Sequence, residues 1–599
     1  MSPKSSHQSN FEQTGEQGGR PRTGAAGALT SRPEGFPAVL RSPRVVYHSA
    51  WLVLIPAAAL GFLYTWLFGV NIPWAEDWTT AVELYQHYIA GTLTFSELWK
   101  GNAEHRIFFP YLAMLGFDLL DPVNVLFYIY FQVSLLLVAL SIYIYVFTRS
   151  FPSRAALWLM APVALLMTSW RQSETLFWAN CLGVVMGYVS AIATIFFLCF
   201  ITDRRRLWPF AAAAVAGFVA SFSFSAGLFT WPIGLLQLVF LPVSRRLKIN
   251  LTLAWTALGV VAWFLYFYHG QVRPATNPPL CYSPHFFLVL LGSSVVQDEN
   301  TGQLVGGLLL LLAAVAVGLV AVRRQWGRYL FWLGVMAFSL LCSASATVVR
   351  GGWGVPPTGV PPHYATLVIP LIIATYVILV SQAQERASGA LWWVVGVLLG
   401  VVALCFYQSE VGEYHKGQGL NDLYRYQVYI LRTLDTQPEA AMQAFVNTNH
   451  DYVRNGAAFL KEHHWSVYAP GSDGDRYAPL DPALPTLPQT TDFHIDGVSQ
   501  LEGNAGYAVS GWAVDSLHQA PAGGVYLVVD GQDYPVFCEL PRPDIADKFH
   551  DPSLEHCGFQ RLLPPRLLPP GRHRLGLKIL THDRQALLNM PNGFDIDVK

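Results

Sequence analysis

The sequence predicts a polytopic α-helical membrane protein with about 11 transmembrane helices, followed by a soluble all-β sandwich domain. Of the 599 residues, 53% are hydrophobic and only 13% are charged, whereas a soluble domain carries about 25% charged residues. Apolar runs recur over the first 410 residues, and roughly 20 such residues cross a bilayer core. After residue 493 apolar and polar residues alternate, which is the period of a half-buried strand.

The amino-terminal segment, residues 1–45, is rich in Ser, Gly, Pro and Gln and contains no apolar run. Such a composition predicts a disordered tail, which we place in the cytoplasm. The apolar run 51–70 is long for a signal-peptide core and has no small-residue cleavage site after it. We therefore expect this run to remain as the first transmembrane helix.

Basic residues predict the topology, because short loops rich in Lys and Arg stay in the cytoplasm. Six basic clusters separate the apolar runs, which come in pairs between them, at Arg41/Arg44, Arg149/Arg154, 203–206, 245–248, 323–328 and 382–386. The predicted spans are 50–70, 123–147, 155–169, 176–201, 208–222, 228–243, 251–268, 303–322, 329–349, 365–381 and 389–407. This layout puts the amino terminus inside, the carboxy-terminal part outside, and 107–121 in an interfacial helix on the outer face.

The domain organisation follows from these changes in pattern. Residues 46–410 form the transmembrane domain with its outer-face loops, 411–468 an outer helical segment and 469–492 a Pro-rich linker. Residues 493–599 form the β-sandwich, in which Asp530-Gly531 is a hairpin signal. Cys538 and Cys557 lie in this outward domain, where an oxidising compartment would permit a disulfide.

Composition also excludes some classes of function. The net charge is −1, so nothing indicates a surface for nucleic acid. The seven cysteines include no CxxC pair and no His/Cys spacing typical of a metal site.

Polar residues collect in the predicted outer loops. Glu76 and Asp77 follow the first span closely, and two adjacent carboxylates cannot lie on one face of a helix. The alternative for these acids is a solvated loop tip, and for Trp74 and Trp78 an interfacial aromatic belt. Other polar residues of these loops include Glu104, His105, Arg106, Arg171, Glu174, Arg273, Arg350 and His363. A site for an anionic lipid phosphate is one interpretation; the other is that Arg106 and Arg171 pair with Glu104 and Glu174 in surface salt bridges.

A resemblance to a known superfamily suggests a function for these loops. The acid pair in "AEDW", the following "EHRIFFP", and later "SWRQSETLFWAN" and "FSFSAGLFTWPIGL" resemble the GT-C superfamily of polytopic glycosyltransferases over about residues 50–465. The resemblance implies a GT-C-like fold and a polyprenyl-phosphate sugar as donor. It also implies that an acid of the first outer loop deprotonates the acceptor hydroxyl, which by position is Asp77, with Glu76 as the adjacent candidate.

The remaining site residues are assigned from the same resemblance and from the chemistry of phosphate departure, which needs cationic stabilisation. Arg350, Arg273, His363 and Tyr364 are the candidates for phosphate binding, and His363-Tyr364 stands where relatives often have Arg-Tyr. Candidates for substrate contact are Glu104, His105, Arg106, Glu174 and Arg171. No cofactor is required, but the resemblance leaves open a divalent Mg or Mn ion held by Asp77, Glu76 and His105.

The leading hypothesis is therefore a glycosyltransferase of the bacterial inner membrane, for which the resemblance implies inversion at the anomeric carbon. It would contact membrane lipids and serve a glycan, lipid or protein acceptor on the periplasmic face. The carboxy-terminal strands resemble a β domain appended to bacterial glycosyltransferases, through Gly511-Trp512-Ala513 and Arg542-Pro543-Asp544. Trp512 in its alternating strand is expected to be a core residue.

Two alternatives stay open. A transporter or flippase of lipid-linked saccharides would place ionisable residues near the bilayer midplane, where this sequence has almost none. A non-catalytic carbohydrate-binding scaffold is the other alternative, and the β domain and His363 favour it.

Overall fold

The computed structural model describes residues 43–102, 104–150, 154–202, 207–268, 279–356, 359–386, 389–446, 448–490, 492–589 and 593–598. The described part is mainly helical up to residue 463 and contains β-sheet after residue 486. The α-helices are α1 (Pro43–Phe68), α2 (Glu83–Ile89), α3 (Phe95–Trp99), α4 (Phe108–Asp118), α5 (Val125–Ser150), α6 (Ala161–Met167), α7 (Ser173–Phe177), α8 (Leu182–Leu198), α9 (Trp208–Ser221), α10 (Thr230–Phe240), α11 (Arg245–Phe267), α12 (Pro284–Gly292), α13 (Glu299–Val322), α14 (Leu330–Arg350), α15 (Ala365–Arg386), α16 (Gly389–Arg432), α17 (His450–His463) and α18 (Pro543–Phe549).

Seven helices of the described residues are long and apolar enough to cross a membrane, so the protein has the character of a multi-pass membrane protein. They are His48–Phe68, Val125–Ser150, Ala179–Leu198, Arg245–Phe267, Glu299–Val322, Leu330–Trp353 and Pro362–Glu385. Each of them coincides with a predicted span. The seven do not make up the full predicted set of about 11.

The remaining predicted spans take other forms. Segments 208–222 and 228–243 correspond to the shorter apolar helices Trp208–Ser221 and Ser225–Phe240. Segment 155–169 divides into a 3-10 helix, Arg154–Met160, and α6. The last one, 389–407, opens α16, whose 44 residues extend about 66 Å at 1.5 Å per residue. The predicted interfacial helix 107–121 is the 11-residue α4.

The helix ends meet at two opposite faces of the bundle. At one face, Asn71 after α1 accepts a hydrogen bond from the backbone of Val125 at the start of α5, 3.0 Å away. We call this the loop face, because Arg350 at the end of α14 pairs there with Glu104 of the loop after α1, and Arg106 of that loop contacts Tyr268 just after α11. At the other face, Arg323 at the end of α13 donates to Gln382 near the end of α15 over 2.7 Å. The described residues of the predicted outer loops named here therefore share one face, and the basic residue Arg323 lies at the other.

Close helix packing depends on glycine where α12 lies against α13. A Cβ atom at Gly306 would stand 1.9 Å from the carbonyl oxygen of Leu288, so no larger residue fits there without moving one helix. Hence α12, whose nine residues are too few to span a membrane, is fixed against the long helix α13.

The carboxy-terminal part contains two sheets with a common apolar core. The strands are β1 (Thr486–Thr490), β2 (Asp492–Gln500), β3 (Tyr507–Asp515), β4 (Ala520–Pro521), β5 (Gly524–Val529), β6 (Gln532–Pro535), β7 (Phe537–Leu540), β8 (Gly558–Leu563), β9 (Gly571–Leu580), β10 (Leu587–Asn589) and β11 (Phe594–Val598). One sheet has the order β1-β10-β9-β5-β6 with β11 on β9, and the other β2-β3-β8-β7 with β4 on β3. Val509 and Phe559 of one sheet pack with Leu527 and Leu577 of the other.

Three predictions for the carboxy-terminal part can be compared with the structure. Trp512 is buried, as a core residue should be, and packs with Ile545 and Cys557. Cys538 and Cys557 are both free thiols, so no disulfide joins them. The predicted linker 469–492 contains a 3-10 helix, Asp473–Tyr477, and strand β1.

The β-sheet part is attached firmly to α16. Arg561 of β8 is fully buried and donates to the hydroxyl of Tyr429 (2.9 Å) and to the carbonyl oxygen of Thr436 (3.1 Å). Arg425 of α16 forms an ion pair with Glu539 over 2.7 Å. These contacts hold the sheets beyond the loop face of the bundle.

Candidate functional site

The acid pair lies in a tight turn after α1, and its two carboxylates have opposite surroundings. Asp77 is 1% exposed, and its Oδ2 accepts a hydrogen bond from the backbone N–H of Trp74 over 3.1 Å. Its Oδ1 is buried and accepts no hydrogen bond from the described residues. Burial raises the pKa of Asp77 well above its ordinary value, and the charge of Glu76 raises it further. Asp77 is thus part of the packed interior.

Glu76 instead presents its side chain to solvent. Its backbone carbonyl accepts hydrogen bonds from Thr79 and Thr80, which fixes the turn. Burial by the surrounding protein nevertheless raises the pKa of Glu76; His363 and Arg350 lower it and Glu174 raises it. A side chain that is open to solvent and also partly desolvated by neighbouring protein lies in a cleft. The charged groups that act on Glu76 in this cleft are His363, Glu174 and Arg350, which are all predicted site residues.

Glu174 and His363 form the first pair of this cleft. His363 Nδ1 lies 2.5 Å from Glu174 Oε2, and the backbone N–H of His363 points to the same oxygen over 3.4 Å. Burial acts to raise the pKa of Glu174, but the hydrogen bond and charge of His363 outweigh it and lower the value. The ring of Trp178 stands 6.2 Å from the His363 ring, so an aromatic side chain borders the pair.

Arg350 and Glu104 form the second pair. Arg350 Nη2 lies 3.1 Å from Glu104 Oε2, and Nε donates to the Tyr364 hydroxyl over 3.2 Å. The guanidinium also stacks over Trp353, 4.8 Å from the ring centre. Three groups therefore fix one cation at the end of α14. The ring of His363 lies 4.3 Å from that of Tyr364.

His105 borders the same cleft as a neutral ring. Its Nδ1 lies 2.8 Å from the hydroxyl of Ser225, and its ring packs on Phe224 at 4.3 Å. Burial lowers the pKa of His105 to about 3, and the charges of Arg350 and His363 act in the same direction. At neutral pH this ring offers hydrogen bonds but no charge.

Two predicted substrate contacts are engaged elsewhere. Arg106 is 3% exposed and donates to the carbonyl oxygens of Trp99, Tyr266 and Tyr268. Arg171 is 1% exposed and binds Glu413 over 2.7 Å. The placement of Arg106 and Arg171 does not favour substrate contact, and neither forms the predicted surface salt bridge with Glu104 or Glu174.

The partner of Arg171 was missed by sequence reasoning. Glu413 of α16 also accepts a hydrogen bond from Ser173 over 2.7 Å. One turn earlier, Glu410 accepts from the hydroxyl of Ser169 at 2.5 Å, and burial raises the pKa of Glu410 to about 7. The signal in the sequence is the pair of acids three residues apart directly after the last apolar run. Together these contacts bind the second outer loop to α16.

The set proposed for a divalent ion does not converge. Glu76 and Asp77 point into different surroundings, and His105 binds Ser225. Across the described ranges no group of three or more His, Cys, Asp or Glu side chains is arranged to hold a metal. Arg273 belongs to 269–278, outside the described residues.

Comparison of the sequence with known proteins identifies no family for this chain. No family model matches the chain. An uncharacterized protein of Archaeoglobus fulgidus is 28% identical over 206 residues, which are 31% of this chain and 50% of the relative. The chain thus matches about half the length of this relative. Neither the fold family nor the activity follows from that similarity.

Proposed function

We propose that the chain is a membrane glycosyltransferase of GT-C type. It moves a sugar from a polyprenyl-phosphate donor to a glycan, lipid or protein of the cell envelope. The site is the cleft at the loop face. The observation that carries the proposal is the solvent-open carboxylate of Glu76 beside two fixed pairs, His363–Glu174 and Arg350–Glu104.

We assign the general base to Glu76. The resemblance to GT-C enzymes points first to Asp77, but that carboxylate is buried and holds the backbone of Trp74. A base must reach the acceptor hydroxyl within about 2.6–3.2 Å, which a solvent-open side chain can do. The raised pKa of Glu76 also makes its carboxylate a stronger base than an ordinary Glu.

The reaction needs one base and one cation. Glu76 takes the proton of the acceptor hydroxyl while the hydroxyl oxygen attacks the anomeric carbon. The bond from that carbon to the phosphate oxygen breaks, and the electron pair leaves with polyprenyl phosphate. Among the residues that the structure describes, Arg350 is the cation that we assign to stabilise the departing phosphate. Attack from the face opposite to the phosphate inverts the anomeric centre.

The remaining cleft residues position substrate. The Glu174–His363 pair offers a carboxylate and a ring N–H for sugar hydroxyls, and Glu104 and Tyr364 hold Arg350 in place. Trp178 and Trp353 border the cleft and suit the apolar face of a sugar ring. His105 adds a neutral hydrogen-bonding group.

For the whole chain we propose about 11 spans in the bacterial inner membrane, with the loop face and a β-sandwich in the periplasm. The basic residues Arg323 and Arg328 lie at the face opposite to the cleft, which supports this orientation by the positive-inside rule. The common core of the two sheets supports the sandwich.

The distribution of charge favours surface chemistry over transport. In the seven candidate spans, every Asp, Glu, Lys, Arg and His lies within four residues of one end. A transporter of charged lipid headgroups would place such residues near the midplane. A scaffold that only binds carbohydrate would need no solvent-open base beside a fixed cation.

The test uses purified protein in proteoliposomes with a panel of polyprenyl-phosphate sugars. Release of free polyprenyl phosphate, dependent on an added acceptor extract, is the expected result. Movement of the intact lipid-linked sugar across the bilayer without release would identify a transporter instead. Binding of the lipid-linked sugar without release or movement would support the alternative of a non-catalytic carbohydrate-binding scaffold.

A further inference from the structure

A cavity of about 900 Å³ lies beyond the loop face, away from the cleft. It is open to solvent on one side and is lined by the end of α16, the 3-10 helix Glu439–Ala444, α17, and two loops of the β-sheet part at Ala505 and Pro564–Arg566. Its volume falls within the range of about 300–1,000 Å³ that small-molecule sites occupy. It shares no residue with the cleft around Glu76.

The walls of the cavity are held in place before any ligand arrives. The Tyr468 hydroxyl donates to the carbonyl oxygen of Leu431 over 2.7 Å. On the other side, Arg561 ties β8 to the hydroxyl and carbonyl oxygens of Thr436. A preformed cavity costs a ligand little ordering of the protein.

The charges of the walls cancel. The walls carry three cations, Arg454, Lys461 and Arg566, and three carboxylates, Asp435, Glu439 and Glu462. Lys461 binds Asp435 over 2.7 Å, and Arg454 pairs with Glu439. The walls therefore carry no net charge that would attract a phosphate or a polyamine, whereas a neutral ligand with many hydroxyls can bond to both the carboxylates and the cations.

A buried amide oxygen in the wall accepts no hydrogen bond from the described residues. Gln437 is 5% exposed, and its Nε2 donates to the Thr433 hydroxyl over 2.7 Å. Its Oε1 accepts no hydrogen bond from the described residues, and such an unmet acceptor costs free energy. That oxygen lies beneath the cavity surface, so Gln437 is a fixed part of the wall and is not itself a ligand contact. Leu431, Leu434 and Met442 add an apolar floor for the C–H faces of a sugar.

We propose that this cavity binds a short neutral oligosaccharide. The site does not depend on the glycosyltransferase proposal, because its residues are separate from the cleft. It does border that region through α17, whose Gly456 packs against the ring of Trp78 next to the acid pair. A glycan held here lies one helix away from the turn that carries Glu76.

The experiment titrates the full-length protein in detergent with maltotriose, cellotriose and triacetylchitotriose, and with inorganic phosphate and spermidine as charged probes. Ala458 is an exposed residue of α17 in the cavity wall, so Ala458→Trp fills the cavity without disturbing the core. Asn455→Trp, on the same helix but outside the cavity, is the matched control. We expect at least one trisaccharide to bind, and Ala458→Trp to weaken it by about tenfold or more while Asn455→Trp does not.

Three outcomes overturn the proposal. They are no trisaccharide binding at millimolar concentration, equal binding by Ala458→Trp and wild type, and tighter binding of phosphate or spermidine than of every trisaccharide. Unchanged thermal unfolding of both variants controls for folding. Glu76→Gln should bind the trisaccharide like wild type, so a failure of the glycosyltransferase proposal is distinguishable from a failure here.

Discussion

Glu76 and Asp77 are neighbours in the chain, but one carboxylate is exposed to solvent and the other is buried. Asp77 is 1% exposed and accepts a hydrogen bond from Trp74, while Glu76 is open to solvent near His363, Glu174 and Arg350. One acid stabilises the turn and the other faces the cleft. The two residues therefore take different parts in any chemistry at the loop face.

We expect the transfer activity to decline on the acid side of its pH profile at a higher pH than for an ordinary Glu, whose pKa is about 4.3. Burial raises the pKa of Glu76, and the base works only when ionised. Activity is therefore complete above the raised pKa and lost as the pH falls through it. The pH profile of kcat/KM in the purified protein measures this limb.

Arg350→Gln should move that acid limb to still higher pH. The charge of Arg350 lowers the pKa of Glu76, so its removal leaves the carboxylate harder to ionise. The variant should also bind donor more weakly. Arg328→Gln, at the opposite face of the bundle, is the control and should leave the limb in place. An acid limb that stays fixed in Arg350→Gln would contradict the proximity of the two groups.

Breaking the buried pair of Arg171 and Glu413 should destabilise the protein by about 3–5 kcal/mol. Both side chains are 1% exposed, so either single change leaves an uncompensated charge. Arg171→Met and Glu413→Leu together should cost less than the sum of the single changes. Thermal unfolding in detergent is the measurement. Arg454→Met, which removes an exposed ion pair with Glu439, should cost no more than about 1 kcal/mol.

Gly456→Ala should loosen α17 from the turn that holds the acid pair. A Cβ atom at Gly456 would lie 2.7 Å from the Trp78 ring, and Trp78 is itself buried. We expect a loss of about 1–3 kcal/mol in stability, the usual cost of overpacking. Gly412→Ala is the matched control, because that helical glycine has open space around it; it should be neutral or stabilising. Equal behaviour of the two variants would rule out close packing at Gly456.

The long apolar helices could be predicted because their signal is local. Seven predicted spans coincide with helices that are long and apolar enough to cross a membrane. Segment 155–169 was harder, since a 15-residue apolar stretch does not distinguish a span from the 3-10 helix and α6 that it forms. The strand signals after residue 493 were equally local.

The pairing of charges could not be predicted, because it depends on contacts distant in sequence. Arg171 and Glu413 are 242 positions apart, and Arg350 and Glu104 are 246 apart. The directions of Glu76 and Asp77 depend on backbone geometry, including the left-handed φ of 47° at Ala75, which alanine rarely adopts. The residue types of the cleft were therefore predictable, but their partners were not.

Comparing Glu76→Gln with Asp77→Asn tests the central claim most directly. The measurement is the rate at which purified protein releases polyprenyl phosphate from a lipid-phosphate sugar with acceptor present. Glu76→Gln should lose about 10²–10⁴-fold in this rate, the usual contribution of a general base. Asp77→Asn keeps an acceptor for the N–H of Trp74 and should retain most of the activity. Full activity of Glu76→Gln, whatever the behaviour of Asp77→Asn, would contradict the account.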